Sequence, residues 1–445
     1  MTTLETDHST APLHALPPQL RAHLALGQVL GRSNATLAVS ASARAFVLAG
    51  LVGLSGLRPI VVATPTVADA ERLLDDLRCF LEHDAVALFA PWETLPLERV
   101  SPDVHTMGQR LEVLWRLFGD GPVPGAVDLS VVVVPVRALL QRLGPWREAA
   151  RPVVVVPGER LEQGDLLARL VGAGYRREHQ VEHRGEVAVR GGIVDVFPST
   201  HDGPIRIDLF GDEIDRLTSF DIGDQRSTGD LTQAVIFGCR EMLLTPELRT
   251  RAEHLALSGV FNRGQWERLA EGEVFDGMEA WLPWLMEDET TLVCDQLSSG
   301  AMVVLTEPRR LRDRAVEVYE EEGALTETLA ATWGAARPDH GELPRLHTAF
   351  DRLLTETDAS VLALPTVAEG PDVPAVTGGG LGPVAGDSAR MAEQLVGLSA
   401  RRYSVVLCTS SSMAATRLAD VLAEEGVRAD VAPEADGRPG ISIVV

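Results

Sequence analysis

The chain has 445 residues, of which 45% are apolar and 23% are charged. This length exceeds what one hydrophobic core usually organises, so we expect two to four domains. The composition is that of a globular protein and excludes a disordered or a membrane-spanning one. No apolar run approaches the roughly 18 residues that a transmembrane helix needs, and acids stand where a secretory signal carries basic residues. These features predict a cytoplasmic protein.

The formal net charge is −24. A protein that grips bare nucleic acid by general electrostatics needs a cation for each phosphate, so this charge excludes such binding except through local contacts. Between residues 141 and 210, however, ten arginines balance ten acids. We expect this neutral stretch to be a docking surface for an acidic partner.

The cysteines and histidines do not form metal-ligand patterns. The four cysteines lack any C-x-x-C pair, and we expect buried, reduced thiols at Cys79, Cys239, Cys294 and Cys408. His179 and His183 have the spacing of a metal pair on a helix, but neither a helix pattern nor a third ligand accompanies them. We therefore predict no metal site.

The first part of the chain predicts an α/β fold. A strand at Thr36–Val39, a helix at Ala43–Gly53 and a strand at Pro59–Ala63 open a β-α-β unit, and Thr66 can cap the next helix. The fully apolar run Val131–Val134 is typical of a central parallel strand that is covered on both faces.

A proline-rich loop interrupts this pattern. A short strand at Val86–Phe89 leads into residues 90–96, where two prolines forbid regular structure and Trp92 is expected to anchor the loop. A helix is predicted at Gln109–Phe118.

After Trp146 the pattern changes. Strand-like segments at Arg151–Val156 and Glu186–Val196 flank an amphipathic helix at Gln163–Gly172, and residues 205–209 alternate between apolar and polar. Such alternation indicates antiparallel strands with one solvated face. We interpret residues 145–215 as an α+β domain inserted into the first fold.

Later segments resemble the beginning of the chain. Strands at Thr291–Cys294 and Met302–Thr306 and a helix at Arg309–Glu322 can complete the first sheet, Glu369–Asp387 has the composition of a linker, and another β-α-β pattern ends on Ile441–Val445. The chain stops on a strand without an apparent partner, so we expect a fragment. The predicted divisions are 1–144, 145–215, 216–367, a linker at 368–387, and a partial α/β domain at 388–445.

The loop between the first strand and helix occupies the position of a phosphate-binding loop but lacks its chemistry. Such a loop needs glycines, a lysine and a hydroxyl that binds magnesium. Here Ala38, Ala41 and Ala43 replace glycines, Arg44 the lysine and Ala45 the hydroxyl, and the chain contains no lysine at all. We predict no ATP hydrolysis and no ATP or Mg²⁺ cofactor.

Three segments carry a resemblance to a known family: Ala173–Arg176, Arg184–Pro198 and Arg206–Ile214. Together they closely resemble the inserted second domain shared by the excision-repair subunit UvrB and the transcription-repair coupling factors. The loop Trp92–Pro96 is more similar to the coupling factors, and the degenerate phosphate loop favours the same family. The resemblance therefore implies a degenerate, helicase-like (RecA-like) P-loop fold with an inserted α+β domain.

The resemblance also implies a site. In this family the inserted domain binds the repair protein UvrA through its exposed sheet face, which carries over here to Arg176, Arg190, Phe197 and Arg206. Arginine suits the task because its planar fork binds a carboxylate bidentately. In the alternative interpretation, Arg190 and Arg206 only pair with Glu186 and Asp208, and Phe197 belongs to the core.

The resemblance implies a non-catalytic scaffold that recruits UvrA to stalled RNA polymerase during transcription-coupled nucleotide excision repair. The family binds RNA polymerase and translocates on double-stranded DNA with ATP, through parts that this sequence lacks. The alternatives are an active, UvrB-like ATP-dependent DNA helicase subunit, which the absence of lysine disfavours, and a stand-alone structural adaptor.

Overall fold

The structure is a computed structural model and describes residues 11–258, 260–286, 291–333, 343–380 and 387–445. Its strands form a parallel main sheet, an inserted and mostly antiparallel sheet, and a small C-terminal parallel sheet, so the fold is mixed α/β as predicted. No helix within the described residues combines the length and the apolar character that crossing a bilayer demands.

The main sheet has six parallel strands within the described residues. In spatial order they are Asn34–Thr36, Ser360–Leu364, Met302–Thr306, Ile60–Thr64, Val131–Pro135 and Val86–Leu88. Val131–Pro135 is buried along its whole length, with Val132 and Val134 in one core and Val131 and Val133 in the core on the opposite face. A central strand covered on both faces reads as a continuous apolar run, so this prediction is confirmed.

The strands that follow the insertion complete the first sheet. Met302–Thr306 pairs with Ile60–Thr64 on one side and with Ser360–Leu364 on the other, and Asn34–Thr36 forms the sheet edge. The chain therefore leaves this sheet after Val131–Pro135, builds the inserted unit, and returns.

Helices flank the main sheet and continue into a helical region that follows the insertion. They are Leu24–Val29, Arg44–Leu54, Val67–Arg78, Val104–Phe118, Val136–Leu140, Trp146–Ala149, Pro246–Leu257, Arg263–Glu271, Leu282–Leu285 and Pro308–Thr332. Thr66 caps its helix as predicted, since its hydroxyl accepts from the Asp69 amide at 3.1 Å. The helix predicted from Gln109 begins earlier, at Val104, because Asp103 caps it.

Two predictions about local structure are wrong. The segment Thr291–Cys294 does not form a strand: Val293–Gln296 is a 3-10 helix, stabilised by Asp295, whose carboxylate accepts from the Leu292 amide at 2.8 Å. The strand predicted at Thr36–Val39 breaks at residue 37, and its second half, Ala38–Val39, belongs to another pairing.

That second pairing lies inside the predicted linker. Ala375–Val376 forms a parallel two-residue pair with Ala38–Val39, so residues 368–380 are not structureless. Residues 381–386 of the predicted linker lie outside the described residues. The Gly- and Pro-rich composition concealed a strand that, within the described residues, pairs with one more than three hundred residues earlier along the chain.

The inserted sheet also has six strands within the described residues. They are Arg176–Glu178, Glu186–Arg190, Ile193–Val196, Ile205–Phe210, Glu213–Phe220 and Ser227–Asp230, adjacent in chain order and antiparallel except for the first pair. Helix Gln163–Gly172 packs against one face through Leu166 and Leu170. A two-stranded antiparallel ribbon, Val153–Val155 with Ala234–Ile236, adds to the same unit.

The predicted boundary at residue 215 requires correction. It falls inside strand Glu213–Phe220, and the sheet continues to Asp230. The burial pattern of residues 213–220 is irregular, because Leu217 and Thr218 are both buried, so this strand lacks the clean alternation of Ile205–Phe210.

A buried polar cluster joins the inserted unit to the main fold. The indole Nε1 of Trp92 donates to the Glu241 carboxylate at 2.8 Å, and Arg110 binds the same carboxylate and donates to the Ala90 carbonyl at 2.6 Å. The predicted anchoring role of Trp92 is thus confirmed, and its partner Glu241 lies just beyond the inserted sheet.

The C-terminal unit contains helices Ser388–Ala400 and Ser412–Glu424 and three parallel strands. The last strand, Gly440–Val444, lies between Ser404–Cys408 and Asp430–Val431. The expectation that it lacks a partner is therefore wrong: it is the central strand of its sheet.

The cysteine prediction holds in part. Cys239 and Cys294 are buried free thiols, but Cys79 is half-buried and Cys408 is exposed. Cys408 ends strand Ser404–Cys408, where the chain emerges from the sheet.

Candidate functional site

The inserted sheet has two chemically different faces. Side chains alternate along a strand, so the face that contacts helix Gln163–Gly172 carries Val187, Val194 and Ile207, all in one apolar core. We call the opposite side the outer face; it is the side that carries Ala188, Asp195 and Arg206, which lie side by side on three neighbouring strands.

The structure brings all four predicted partner-binding residues to this outer face. Arg190 lies two positions beyond Ala188, and Phe197 lies two positions beyond Asp195. Arg176 is paired with Glu186, which lies two positions before Ala188. The even spacing places each of these side chains on the same side of the sheet as Arg206.

A buried carboxylate organises the arginines. Asp195 is fully buried, and Arg206 donates to it twice, from Nε at 2.7 Å and from Nη2 at 3.0 Å. Arg190 donates to the same carboxylate from Nη2 at 2.6 Å. A buried carboxylate that accepts several charge-assisted hydrogen bonds fixes the orientation of its donors.

Further contacts hold Arg206 in place. Its Nη1 donates to the Gln225 carbonyl at 3.1 Å, and its guanidinium lies 4.7 Å from the centre of the Phe220 ring. The hydrogen bonds that Arg206 donates to Asp195 raise the pKa of Arg206 above its usual value. Only 15% of the side chain is exposed. Arg206 is therefore a positioning residue with little surface left for a partner.

Arg190 and Arg176 remain accessible. Arg190 is 46% exposed, and Arg176 is 64% exposed and lies 3.9 Å from Glu186. Arg190 lines a cavity of about 540 Å³ together with Arg177, Glu178, His179 and Val189. Both guanidinium groups can thus donate hydrogen bonds to a carboxylate of a second protein.

Phe197 is not accessible: it is 8% exposed and packs with Val181, Ala188 and Phe220 in a small cluster on the outer face. The alternative interpretation was right that Phe197 is a core residue. It named the wrong partners for the arginines, since Arg190 and Arg206 bind Asp195, whereas Glu186 is the carboxylate near Arg176.

Three outer-face residues were missed from the sequence. Asp195 and Gln225 hold the arginines, and Phe210 is an aromatic side chain that is 83% exposed at the tip of the hairpin Ile205–Phe210/Glu213–Phe220. Asp195 had one visible signal, an acid between Val194 and Val196 in a strand pattern. Its partners could not be inferred without the strand register.

The segment that the sequence predicts to be a degenerate phosphate loop forms backbone hydrogen bonds with a later part of the chain. The amides of Ala38, Val39 and Ser40 donate to carbonyls of residues 365–376 at 2.9, 2.9 and 3.3 Å. In a working loop such amides converge on phosphate. Ala41 and Ala43 are the first and last residues of a single 3-10 turn. Arg44 and Ala45 are the first two residues of helix Arg44–Leu54.

Arg44 also contacts side chains from a later part of the chain. Its guanidinium forms an ion pair with Glu307 and donates to the Thr366 hydroxyl at 3.1 Å. Glu307 has a left-handed backbone with φ of 48°, which a non-glycine residue adopts only where its surroundings hold it. The positive charge of Arg44 is therefore paired with the Glu307 carboxylate.

Comparison with known proteins gives a family match to the inserted unit and matches to a larger part of the chain. The family model of the UvrB interaction domain matches residues 153–242. Over 311 residues the chain is 40% identical to the transcription-repair-coupling factor of Mycobacterium bovis, which covers 68% of this chain and 25% of the relative. The chain belongs to the transcription-repair-coupling factor family.

More distant members of the transcription-repair-coupling factor family match at similar coverage. Identity is 29% to the Bacillus subtilis factor, over 65% of this chain and 26% of the relative, and 28% to the Escherichia coli factor, over 66% and 24%. The chain thus spans about a quarter of the length of these relatives.

The matched domain coincides with the structural unit. Its first residue, Val153, begins the two-stranded ribbon, and its last residue, Met242, directly follows Glu241, which holds Trp92 and Arg110. The match encloses strand Glu213–Phe220 and so agrees with the corrected boundary.

Proposed function

We propose that this chain is a non-catalytic docking module of a transcription-repair-coupling factor and that it recruits UvrA to stalled RNA polymerase. The observation that carries the proposal is the coincidence of two features: the unit matched as the UvrB interaction domain is the one that presents accessible arginines on its outer face. In the relatives' family, the shared name indicates coupling of transcription to repair.

The contacts proposed for UvrA are Arg176 and Arg190. Both are exposed, and each can offer a planar fork to a carboxylate of the partner. Arg206, Asp195 and Phe197 support this surface from beneath. Asp195 fixes the Arg190 guanidinium before binding, which lowers the entropy lost on docking.

We propose that the remainder is a degenerate, RecA-like P-loop scaffold without ATP chemistry. The loop amides that would bind phosphate donate to backbone carbonyls, and Arg44 is neutralised by Glu307. A nucleotide would have to break both sets of contacts without gaining a lysine or a magnesium-binding hydroxyl. Binding of RNA polymerase and ATP-driven movement on double-stranded DNA would reside in other parts of the longer relatives. A cytoplasmic location remains a prediction.

The first test measures UvrA binding by biolayer interferometry with UvrA immobilised. If Arg176 and Arg190 are central contacts, Arg176→Ala and Arg190→Ala should each weaken binding by about 2 kcal/mol, roughly thirtyfold in Kd. The matched control is Arg263→Ala, an exposed arginine paired with Glu267 on a helix outside the inserted unit. Equal affinity for all variants would refute the site.

The second test separates the scaffold from an active, UvrB-like helicase subunit. We expect no saturable ATP turnover by the chain, with or without single-stranded DNA. Turnover that Arg44→Ala abolishes would overturn the scaffold proposal and favour the helicase.

A further inference from the structure

A second groove lies on the opposite side of the inserted unit from the outer face. It has a volume of about 580 Å³, within the range of ligand-binding cavities, and its lining includes Glu148, Arg151, Val153, Val154, Arg169 and Leu243. We call it the ribbon groove. None of these residues belongs to the outer face. Arg169 lies on helix Gln163–Gly172, which packs against the opposite face of the sheet.

One wall of the ribbon groove is the edge of a β-strand. Val153–Val155 pairs with Ala234–Ile236 on one side, and within the described ranges no strand pairs with its other side. Val153 and Val154 line the groove. A strand edge without a neighbour presents backbone N–H and C=O groups and can accept an extended peptide as an additional strand.

The groove also carries unpaired positive charge. Arg151 and Arg169 are exposed, and neither makes an ion pair with a carboxylate in the part of the chain that the structure describes. Glu148 is the acid among the lining residues, so the arginines leave a net positive groove on a chain whose formal charge is −24. This combination favours an acidic ligand.

We propose that the ribbon groove binds an extended, acidic segment of a partner protein, which pairs with Val153–Val155 as a third strand of the ribbon. Side chains of an added strand alternate in direction, so acids at every second position can reach Arg151 and Arg169 while the intervening side chains contact Val154 and Leu243. Because this groove and the outer face are on opposite sides, both can be occupied at once.

The test uses fluorescence anisotropy of a fluorescein-labelled peptide that alternates glutamate and valine. We expect saturable binding that weakens at least about tenfold in the double variant Arg151→Glu/Arg169→Glu, because two attractive charges become repulsive. The matched control is Arg417→Glu plus Arg21→Glu, the same charge change at two exposed arginines of other helices. Equal weakening by both double variants would show general electrostatics and overturn the proposal.

Two further peptides test the mode of binding. Replacing each glutamate with glutamine should abolish measurable binding, whereas methylating alternate backbone nitrogens on the pairing edge should weaken it at least about tenfold. Unchanged binding of the methylated peptide would overturn strand addition. UvrA binding by Arg151→Glu/Arg169→Glu should equal that of the unmodified chain, so a failure of this proposal is distinguishable from a failure of the outer-face proposal.

Discussion

Arg206 and Asp195 face each other on neighbouring strands of the inserted sheet, and Arg206 donates two hydrogen bonds, of 2.7 and 3.0 Å, to the Asp195 carboxylate. The carboxylate is fully buried, whereas the Arg190 guanidinium that shares it is half exposed. One buried acid thus connects an internal arginine with a surface arginine. The docking surface that we propose depends on this connection.

Replacing Asp195 with alanine should destabilise the inserted unit and weaken UvrA binding together. Removing one partner of a buried pair leaves Arg206 without its carboxylate, and we expect a loss of about 2 kcal/mol in the free energy of unfolding. This is less than the cost of breaking a fully buried pair, because Arg190 can reach water. Urea unfolding measures this change. The control is Asp230→Ala, an exposed acid paired with exposed Arg216, for which we expect no resolvable change.

Replacing Glu241 with alanine should be more damaging. Its carboxylate accepts from Trp92 and Arg110, and Arg110 is fully buried. Among the described residues, the variant leaves the buried guanidinium with the Ala90 carbonyl as its remaining hydrogen-bond partner. We expect a loss of about 3 to 5 kcal/mol in the free energy of unfolding, measured with urea. Glu267→Ala, which breaks the exposed pair with Arg263, is the control. If Glu241→Ala lowers the free energy of unfolding by no more than Glu267→Ala does, this cluster does not hold the inserted unit to the main fold.

The sequence predicts those parts of the fold in which local pattern and burial agree. Val131–Pro135 is apolar throughout because both of its faces are covered, and Ile205–Phe210 alternates because one face is solvated. Both were correctly assigned. Ala375–Val376 could not be found, because its only signal is a distant partner in a segment rich in glycine and proline.

In the candidate site, too, some features could be predicted from the sequence and others depend on residues that are distant along the chain. The family resemblance predicted that Arg176, Arg190 and Arg206 share one exposed face, and the register of the sheet agrees with that prediction. The exposure of a side chain also depends on residues elsewhere in the chain. Arg206 is largely buried because Gln225, in a turn, and Phe220, on another strand, lie against it. The distinction between a contact and its support therefore needs the three-dimensional structure.

The four thiols should react in a fixed order with dithionitrobenzoate at about pH 8. Burial raises the pKa of Cys239 to about 12 and that of Cys294 to about 12. The thiolate is the reactive form, so at this pH roughly one in ten thousand of either thiol is ionised, and neither is accessible. We expect the exposed Cys408 to react first in the folded protein, and Cys239 and Cys294 only after urea unfolding. Rapid reaction of four thiols without urea would contradict the fold around both buried cysteines.

His201 should make the inserted unit less stable in mild acid. Burial lowers the pKa of His201 below its usual value near 6.5, and its Nε2 lies 3.2 Å from the Val235 carbonyl. The unfolded chain therefore binds a proton more readily than the folded one, so stability is retained above about pH 6.5 and falls as the pH drops below it. We expect the loss of unfolding free energy between about pH 7.5 and 5.5 to be smaller in His201→Gln, whose amide can still donate to Val235. His83→Gln, at an exposed histidine, should keep the original pH dependence. Identical pH profiles for the unmodified chain and His201→Gln would show that protonation of this residue does not oppose folding.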